Sequence, residues 1–348
     1  MSRSLAGISA VLAAAVLAMP GTGSAQAYKV EKWNIGGEGG FDYLSTDATS
    51  RVFISRGTHV MVVDGATGKV LGDILDTPGV HGIAFTPKSG YGFTTNGRDS
   101  TSTMFNLKDF SVVKKVHAGS AGLDGIMYDD ATDMILTINH SRPIGSAVVI
   151  NAKTGDVVKT IELSGNAPEG GVSNGKDRIF INIENKNAID VIDTKTWKVI
   201  ATWTIEPCDG PTGIAMDRAT NRIFAGCSKK SVVVDATSGK VVAEIVNGDG
   251  VDALGWDQSK KLIYIPAGAD GNVTVVHEDS PNKYSVVQTV ATMKGARTIA
   301  VDDQKHVAFV FTPEYGPAPA PAAGAAPPAG GRGPRGPIVA AWLIKVSP

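Results

Sequence analysis

The stretch that decides the fold lies between residues 211 and 242, where the chain reads PTGIAMD (211–217), NRIF (221–224) and SVVVDATSGKVV (231–242). Three short apolar runs rich in Val, Ile and Phe alternate there with turn residues such as Asp217 and Gly239. Runs of this length between polar turns are typical of β-strands and cannot supply a three-turn amphipathic helix. The same unit recurs along the chain and serves as the template for aligning it.

Seven copies of the unit follow one another at intervals of 40 to 45 residues. Every copy has a second β-branched and aromatic run, as in Arg178-Ile179-Phe180-Ile181 and Leu262-Ile263-Tyr264-Ile265. These runs exclude helical repeats of similar period, and the period itself is typical of four-stranded β-propeller blades. The copies begin at Phe41, His81, Asp124, Glu169, Thr212, Asp252 and Arg297.

Turns and chain ends complete the prediction. The third and fourth strands are joined by turns such as Asp64 to Lys69, in which Asp can bond the turn backbone and Gly accepts positive φ. The seventh copy lacks a fourth strand, and Tyr28 to Ile35 forms an unassigned strand before the first copy. Pairing the two would remove two exposed sheet edges. We therefore predict an all-β fold, a seven-bladed β-propeller of four-stranded antiparallel blades closed by the N-terminal strand.

The repeat resembles the YVTN-type β-propeller repeat of YncE-like proteins. The residues that carry the likeness are 211–215, 221–224 and 233–241, together with Val80 to Pro87 and Thr94 to Asn96. The resemblance covers Tyr28 to Pro348 and implies an exported bacterial protein. Related seven-bladed propellers serve as dehydrogenase subunits, lactonases and binding scaffolds. Acids, His81 and Arg297 stand here where many repeats have Pro-His or Pro-Thr.

The N-terminal residues have the layout of a secretory signal peptide. Arg3 precedes an apolar to weakly polar run from Leu5 to Met19, and Ala25-Gln26-Ala27 forms a small-x-small cleavage site. We predict a cleaved signal peptide at residues 1–27 and a periplasmic or secreted mature chain at 28–348, without a membrane span. An uncleaved N-terminal anchor is the alternative.

The charge balance of the mature chain argues against nucleic acid as a partner. Removing residues 1–27 removes one basic residue, which leaves 32 basic and 34 acidic residues and a formal charge of −2. Such a balance offers no general attraction for phosphate backbones. We expect a monomer whose partner is a small polar ligand or another exported protein.

The two cysteines, Cys208 and Cys227, fall before the first strand and after the second strand of blade five. Export places them where disulfides persist, so we predict that they are bonded to each other. A pair of free thiols is the alternative.

The first residue of each first strand is expected at the rim of the central channel. Three acids there, Asp124, Glu169 and Asp252, would raise one another's pKa unless Arg297 or a cation compensated them, so a divalent cation in the channel is one hypothesis. A water-filled polar channel without a ligand is the alternative. The predicted channel-mouth residues are His81, Asp124, Glu169, Asp252 and Arg297, joined by Asn96, Arg98, His140 and Glu184 at the ends of second strands, where Arg56, Asn139 and Glu314 are also expected.

Residues 313–337 are rich in Pro, Ala and Gly and are predicted to form a disordered or polyproline-like loop between the second and third strands of blade seven. No Gly-x-Ser-x-Gly, His-Glu-x-x-His or phosphate-loop motif occurs in the sequence. The leading expectation is therefore a binding or interaction scaffold. The alternative is a metal-dependent lactonase-like hydrolase or an accessory subunit of a periplasmic dehydrogenase, which requires the predicted ligands to converge on one point.

Overall fold

A computed structural model describes residues 27–120, 122–318 and 335–348 of the chain. The predicted signal peptide lies outside these ranges except for its last residue. Seven four-stranded antiparallel sheets form a closed ring, because each first strand contacts the first strands of both neighbouring blades. The predicted β-propeller is confirmed. Within the described ranges the only helical element is the 3-10 turn Glu184–Lys186, and no helix there is long and apolar enough to cross a membrane.

Blades one to four are each built from four consecutive strands. The second and third strands of a blade are buried along most of their length because they pack against both neighbouring blades. Fourth strands face solvent and are mostly exposed. The strands are β2 (Leu44–Thr46), β3 (Arg51–Ser55), β4 (Val60–Asp64) and β5 (Val70–Ile74); β6 (Val80–Thr86), β7 (Tyr91–Asn96), β8 (Thr101–Asn106) and β9 (Val112–His117); β10 (Leu123–Asp129), β11 (Met134–Asn139), β12 (Ser146–Asn151) and β13 (Val157–Glu162); β14 (Pro168–Ser173), β15 (Arg178–Ile183), β16 (Ala188–Asp193) and β17 (Lys198–Thr204).

Blades five and six follow the same plan, and blade seven combines the two ends of the chain. Its sheet order is β1-β28-β27-β26, so the N-terminal strand takes the outermost place. The strands are β18 (Ile214–Asp217), β19 (Arg222–Ala225), β20 (Lys230–Asp235) and β21 (Val241–Val246); β22 (Gly255–Asp257), β23 (Leu262–Ala267), β24 (Asn272–Ser280) and β25 (Lys283–Ala291); and β26 (Ile299–Asp302), β27 (Val307–Tyr315), β28 (Ile338–Ser347) and β1 (Lys29–Asn34).

The hydrophobic core is divided among the interfaces between neighbouring blades. One cluster joins Leu136 and Val149 of blade three to Ile181 of blade four. Another joins Phe309 of blade seven to Ile54 of blade one. A single blade therefore cannot bury its own apolar faces, and closing the ring is what completes the core.

The turns between third and fourth strands have the predicted chemistry. Asp64 Oδ1 accepts hydrogen bonds from the backbone N–H groups of Ala66 (2.9 Å) and Thr67 (2.8 Å). Gly68 follows with φ +73°, a conformation that costs glycine little. Residues 235–239 repeat the arrangement in blade five. These turns place the outer strands in register.

Closure by the N-terminal strand is also confirmed. β1 pairs antiparallel with β28 along its whole length, from Lys29 opposite Ser347 to Asn34 opposite Trp342. Trp33 packs so closely over the turn of blade one that a Cβ at Gly68 would lie 2.5 Å from its ring. The strand thus contacts blade one as well as blade seven.

The insertion of blade seven is shorter than the predicted 313–337. β27 continues to Tyr315, with Pro313 opposite Ala341 and Tyr315 opposite Ile338. Pro313 is tolerated in this strand because β26 ends opposite Val310, so no neighbour on that side needs the missing N–H. The remainder of the predicted loop falls largely on 319–334, outside the described residues.

The predicted disulfide is present between Cys208 and Cys227, whose Cα atoms lie 5.7 Å apart. Both cysteines are fully buried in the cluster between blades four and five. The bond ties the loop entering blade five to the end of its second strand.

Replacing both cysteines, as in Cys208→Ala/Cys227→Ala, is expected to lower the free energy of unfolding by about 3 kcal/mol, since the bond closes a loop of 19 residues. Urea unfolding with and without reductant measures the change, and only the wild type should respond to the reductant. Two titratable thiols in unfolded, unreduced wild-type protein would contradict the assignment.

Candidate functional site

The candidate site is the ring of side chains at the start of the first strands. Asp124 and Glu169 are each followed by Gly, and the first strands of blades two to four have a bulge at this point. A Cβ at Gly125 would lie 2.8 Å from the carbonyl oxygen of Glu169, and one at Gly170 would lie 2.9 Å from that of Thr212. The glycines therefore allow neighbouring first strands to approach closely, which brings the ring side chains into contact.

Arg297 lies between two carboxyl groups of the ring, those of Asp252 and Asp42. Its Nε lies 2.5 Å from Asp252 Oδ2 and its Nη2 lies 3.1 Å from Asp42 Oδ1. His81 Nδ1 lies 2.5 Å from Asp42 Oδ2 and 3.7 Å from Asp124 Oδ1. Acidic and basic groups thus alternate from blade six to blade three.

His140, at the end of blade three's second strand, extends the series. Its Nε2 lies 3.5 Å from Asp124 Oδ2 and 3.0 Å from Glu169 Oε1. Tyr43 donates a hydrogen bond from its hydroxyl to Glu169 Oε2 at 3.4 Å. We call the whole alternating series the charge ring; in order it comprises Asp252, Arg297, Asp42, His81, Asp124, His140 and Glu169.

The structure corrects the prediction for blade one, where Asp42 and not Phe41 occupies the ring position. Leu44 opposes Ile54, the fourth residue of its second strand, and Ile83 opposes the fourth residue of the second strand in blade two. The residue two places earlier is Asp42 in one blade and His81 in the other. In blade one the ring position therefore lies one residue later than the repeat alignment predicts.

A signal for Asp42 was present in the sequence. The turn after the first strand begins with Asp47, five residues after Asp42, just as Asp129 stands five residues after Asp124. Aligning the copies on this turn residue selects Asp42, and it places Tyr43 where the copies of blades two to five have Gly. Tyr43 is thus a second site residue that the sequence analysis missed.

Burial and mutual charge control the protonation of the ring. Burial raises the pKa of Asp124 to about 7, and the Asp42 and Glu169 charges act in the same direction. The contact with Glu169 raises the pKa of His140 to about 9, and the contact with Asp42 raises the pKa of His81. Four carboxyl groups therefore face three bases, and the pKa of Asp124, about 7, places its protonation change near neutral pH.

Arg297 and Glu169 show the same competition. Burial alone would lower the pKa of Arg297, but the charges of Asp252 and Asp42 raise it on balance. Burial raises the pKa of Glu169, opposed by His140. Arg297 therefore stays protonated, and its positive charge is balanced by the carboxyl groups of Asp252 and Asp42 that it contacts.

The residues predicted from the second strands have different surroundings. Asn96 is fully buried and donates to Thr101 Oγ1 (3.0 Å) and Thr103 Oγ1 (2.9 Å), which corrects its predicted place at the channel mouth. Arg98 is exposed at the rim, and the charge of Glu184 helps to raise the pKa of His140. Arg56 and Asn139 are also buried, and Glu314 accepts a hydrogen bond from the indole N–H of Trp342. Among the first-strand positions, Thr212 is buried and its hydroxyl donates to the carbonyl oxygen of Val251.

The predicted cation ligands converge only in part. Asp124 and Glu169 come together with His140, and Asp124 also joins Asp42 and His81, with the ligand atoms of each trio within 4.8 Å of one another. Asp252 belongs to neither trio and contacts Arg297 instead. The predicted set of Asp124, Glu169 and Asp252 is corrected accordingly.

Two clefts open beside the charge ring and meet at Phe41 and Arg297. The first has a volume of about 490 Å³, and the second, of about 480 Å³, extends towards Lys294 and Arg335. Phe41 packs edge-on against Phe311, with Arg297 4.6 Å from the centre of its ring. The central channel has a smaller volume, about 170 Å³, and is lined by residues in or just before the first strands of all seven blades.

No protein-family model and no curated protein match the chain. Among solved structures it is similar to a chain of the Kuenenia stuttgartiensis hydrazine synthase, with 15% identity, a TM-score of 0.70 and coverage of 79% of this chain and 93% of that chain. It is also similar to a chain of a mitotic checkpoint complex, with 13% identity, a TM-score of 0.72 and coverage of 87% of this chain and 95% of that chain. The RRP9 WD40 repeats show 10% identity, a TM-score of 0.73 and coverage of 90% of this chain and 97% of that chain. The chain therefore belongs to the class of seven-bladed β-propellers with WD40-like architecture.

Proposed function

We propose that this chain is an exported, YncE-like propeller that works by binding, and that the charge-ring face holds a small polar ligand or a segment of another exported protein. The cleft of about 490 Å³ beside the ring carries the proposal. Its volume lies in the range of small-molecule sites, about 300–1,000 Å³. The WD40-like architecture and the disulfide support a stable scaffold outside the cytoplasm.

The lining of this cleft favours a polar ligand with one apolar face. Asp42, His81 and Arg297 supply charged groups, while Phe41 supplies an aromatic surface. Glycine backbone forms much of the remaining wall, so a ligand can approach main-chain amides and carbonyls closely. The glycines are Gly40, Gly57, Gly79, Gly97 and Gly122.

The decisive variant is Gly40→Leu, which fills the cleft from its wall. A Cβ at Gly40 meets no atom within 4 Å, so the added side chain projects into free space. A thermal-shift screen of residues 28–348 with sugars, lactones and amino acids identifies ligands, and calorimetry compares their affinities. We expect Gly40→Leu to abolish binding and Lys159→Leu, on an exposed outer strand, to preserve it.

Binding of another exported protein, the second possibility in the proposal, is tested by a separate crosslinking experiment. A photo-crosslinking residue at position 98, on the cleft rim, should capture an exported protein that the same residue at position 159 does not. Ligands that bind Gly40→Leu as tightly as wild type, or an absence of both ligands and site-specific crosslinks, would contradict the proposed function.

The convergence of Asp124, His140 and Glu169 favours a second candidate function, a metal-dependent lactonase-like hydrolase. An accessory subunit of a periplasmic dehydrogenase is the related alternative, but no contact in the charge ring favours it. Lactone hydrolysis measured with added zinc separates hydrolase from scaffold. Turnover that disappears in Glu169→Gln would favour the enzyme, and its absence in the wild type would exclude this activity for the lactones tested.

A further inference from the structure

Blades three and four bring three ligand atoms of the charge ring together. His140 Nε2 lies 3.0 Å from Glu169 Oε1 and 3.5 Å from Asp124 Oδ2, and the three residues form a group within 4.8 Å. Ligands held tetrahedrally at about 2.0–2.2 Å from a zinc ion are roughly 3.3–3.5 Å apart. The two separations that involve His140 Nε2 are therefore close to those of metal-bound ligands, and all three ligand atoms lie within 4.8 Å of one another.

Hydrogen bonding leaves this trio incomplete. Within the described part of the chain, His140 Nε2 and Asp124 Oδ1 are buried polar atoms that make no hydrogen bond of good geometry. Buried polar atoms almost always have a partner. The other oxygen of Asp124, Oδ2, and the Nε2 of His140 both point to the space that Glu169 Oε1 also faces.

Neighbouring groups orient both carboxylates. The hydroxyl of Tyr43 donates to Glu169 Oε2, which leaves Oε1 for a ligand role. His81 lies 3.7 Å from Asp124 Oδ1 and is itself held by Asp42, so Asp124 Oδ2 remains directed to His140. Such outer partners fix ligand orientation in metal sites.

We propose that Asp124, His140 and Glu169 form a binding site for one divalent transition-metal ion. An imidazole nitrogen combined with two carboxylate oxygens suits zinc and similar ions, whereas calcium takes oxygen ligands alone. Three protein ligands leave a coordination position for water or for a bound molecule. The side chain of His140 is one-third exposed at the charge-ring face, whereas its Nε2 is buried, so metal entry requires a movement of this side chain.

The metal trio does not line the cleft next to Gly40, so metal binding is separate from ligand binding in that cleft. It deepens the hydrolase candidate, which rests on the same three residues. Gly40→Leu is accordingly expected to bind metal normally. Failure of the cleft experiment and failure of the metal experiment are therefore separate results.

The test uses residues 28–348 dialysed against EDTA and then titrated with zinc chloride or cobalt chloride. We expect one equivalent to bind, with a visible Co²⁺ absorption band and a higher melting temperature. Glu169→Gln and His140→Gln should each weaken zinc binding by about 100-fold or more. His306→Gln, on a histidine paired with Asp257, and Asp252→Asn should stay within about fivefold, the effect of a screened charge.

Circular dichroism establishes that each variant is folded, and Glu169→Gln, which retains the size of the side chain, is the variant to rely on if His140→Gln is unstable. Absence of stoichiometric zinc and cobalt binding would overturn the assignment. Unchanged affinity in both ligand variants would overturn it as well.

Discussion

Deletion of the N-terminal strand, giving a chain of residues 36–348, is expected to lower the melting temperature by at least about 10 °C or to prevent soluble folding. The deletion removes the ladder of β1 with β28 and the packing of Trp33 over the blade-one turn. We estimate a loss on the order of 5 kcal/mol from the buried apolar surface and the hydrogen bonds together. Thermal unfolding followed by circular dichroism measures it.

A circular permutant supplies the matched control. Residues 28–35 attached after Pro348 through a short glycine-containing turn can form the same antiparallel pair, since Lys29 already opposes Ser347. This variant should recover most of the lost stability. A truncated chain that melts within about 2 °C of residues 28–348 would show that ring closure contributes little.

Arg56→Met is expected to lower the free energy of unfolding by about 3 kcal/mol. Arg56 is fully buried, and its guanidinium donates to the carbonyl oxygens of Gly36 (3.0 Å) and Gly37 (2.8 Å) while lying over Phe311. Methionine retains much of the volume but leaves both carbonyls without their donor. Burial lowers the pKa of Arg56 to about 10, so the group is charged at neutral pH.

The control for this change is Arg98→Met. Arg98 is an exposed arginine on the same face, and its replacement should alter stability by no more than about 0.5 kcal/mol. Urea unfolding compares the two variants, and hydrogen exchange of residues 36–40 reports whether the glycine segment loosens. Equal stability of the two variants would show that the buried guanidinium does not anchor this segment.

The fold was predictable from the sequence because the same short-range pattern occurs seven times. Each copy repeats the order of short strands separated by polar turns, and blades one, three and five also share the Asp- or Asn-to-Gly turn, as at 64–69 and 235–240. An error in one copy therefore cannot change the architecture. The missing fourth strand then identified Tyr28 to Ile35 as its replacement, and β1 confirms it. Repetition made up for the absence of any family match.

The side-chain contacts of the charge ring were less predictable than the sequence positions of its residues. Six ring positions follow from the repeat, but the partner of each side chain depends on the neighbouring blade, as for Arg297 and Asp42, which are 255 residues apart. The sequence alone does not show that Asp252 contacts Arg297 while Asp124 lies between two imidazoles. Second-strand ends were also ambiguous by one residue. Asn96 and Asn139 occupy equivalent, fully buried positions, whereas His140, one residue further on, contacts Glu169.

The pairing of β1 with β28 also determines how the protein responds to mechanical force. Lys29 lies beside Ser347, so the two ends of the described chain leave the blade at the same point and in opposite strands. Tension applied between them loads this first pair alone, and the ladder then opens one hydrogen bond at a time. We therefore expect β1 to separate from β28 first when residues 29 and 347 are pulled apart, although its deletion is expected to lower equilibrium stability strongly.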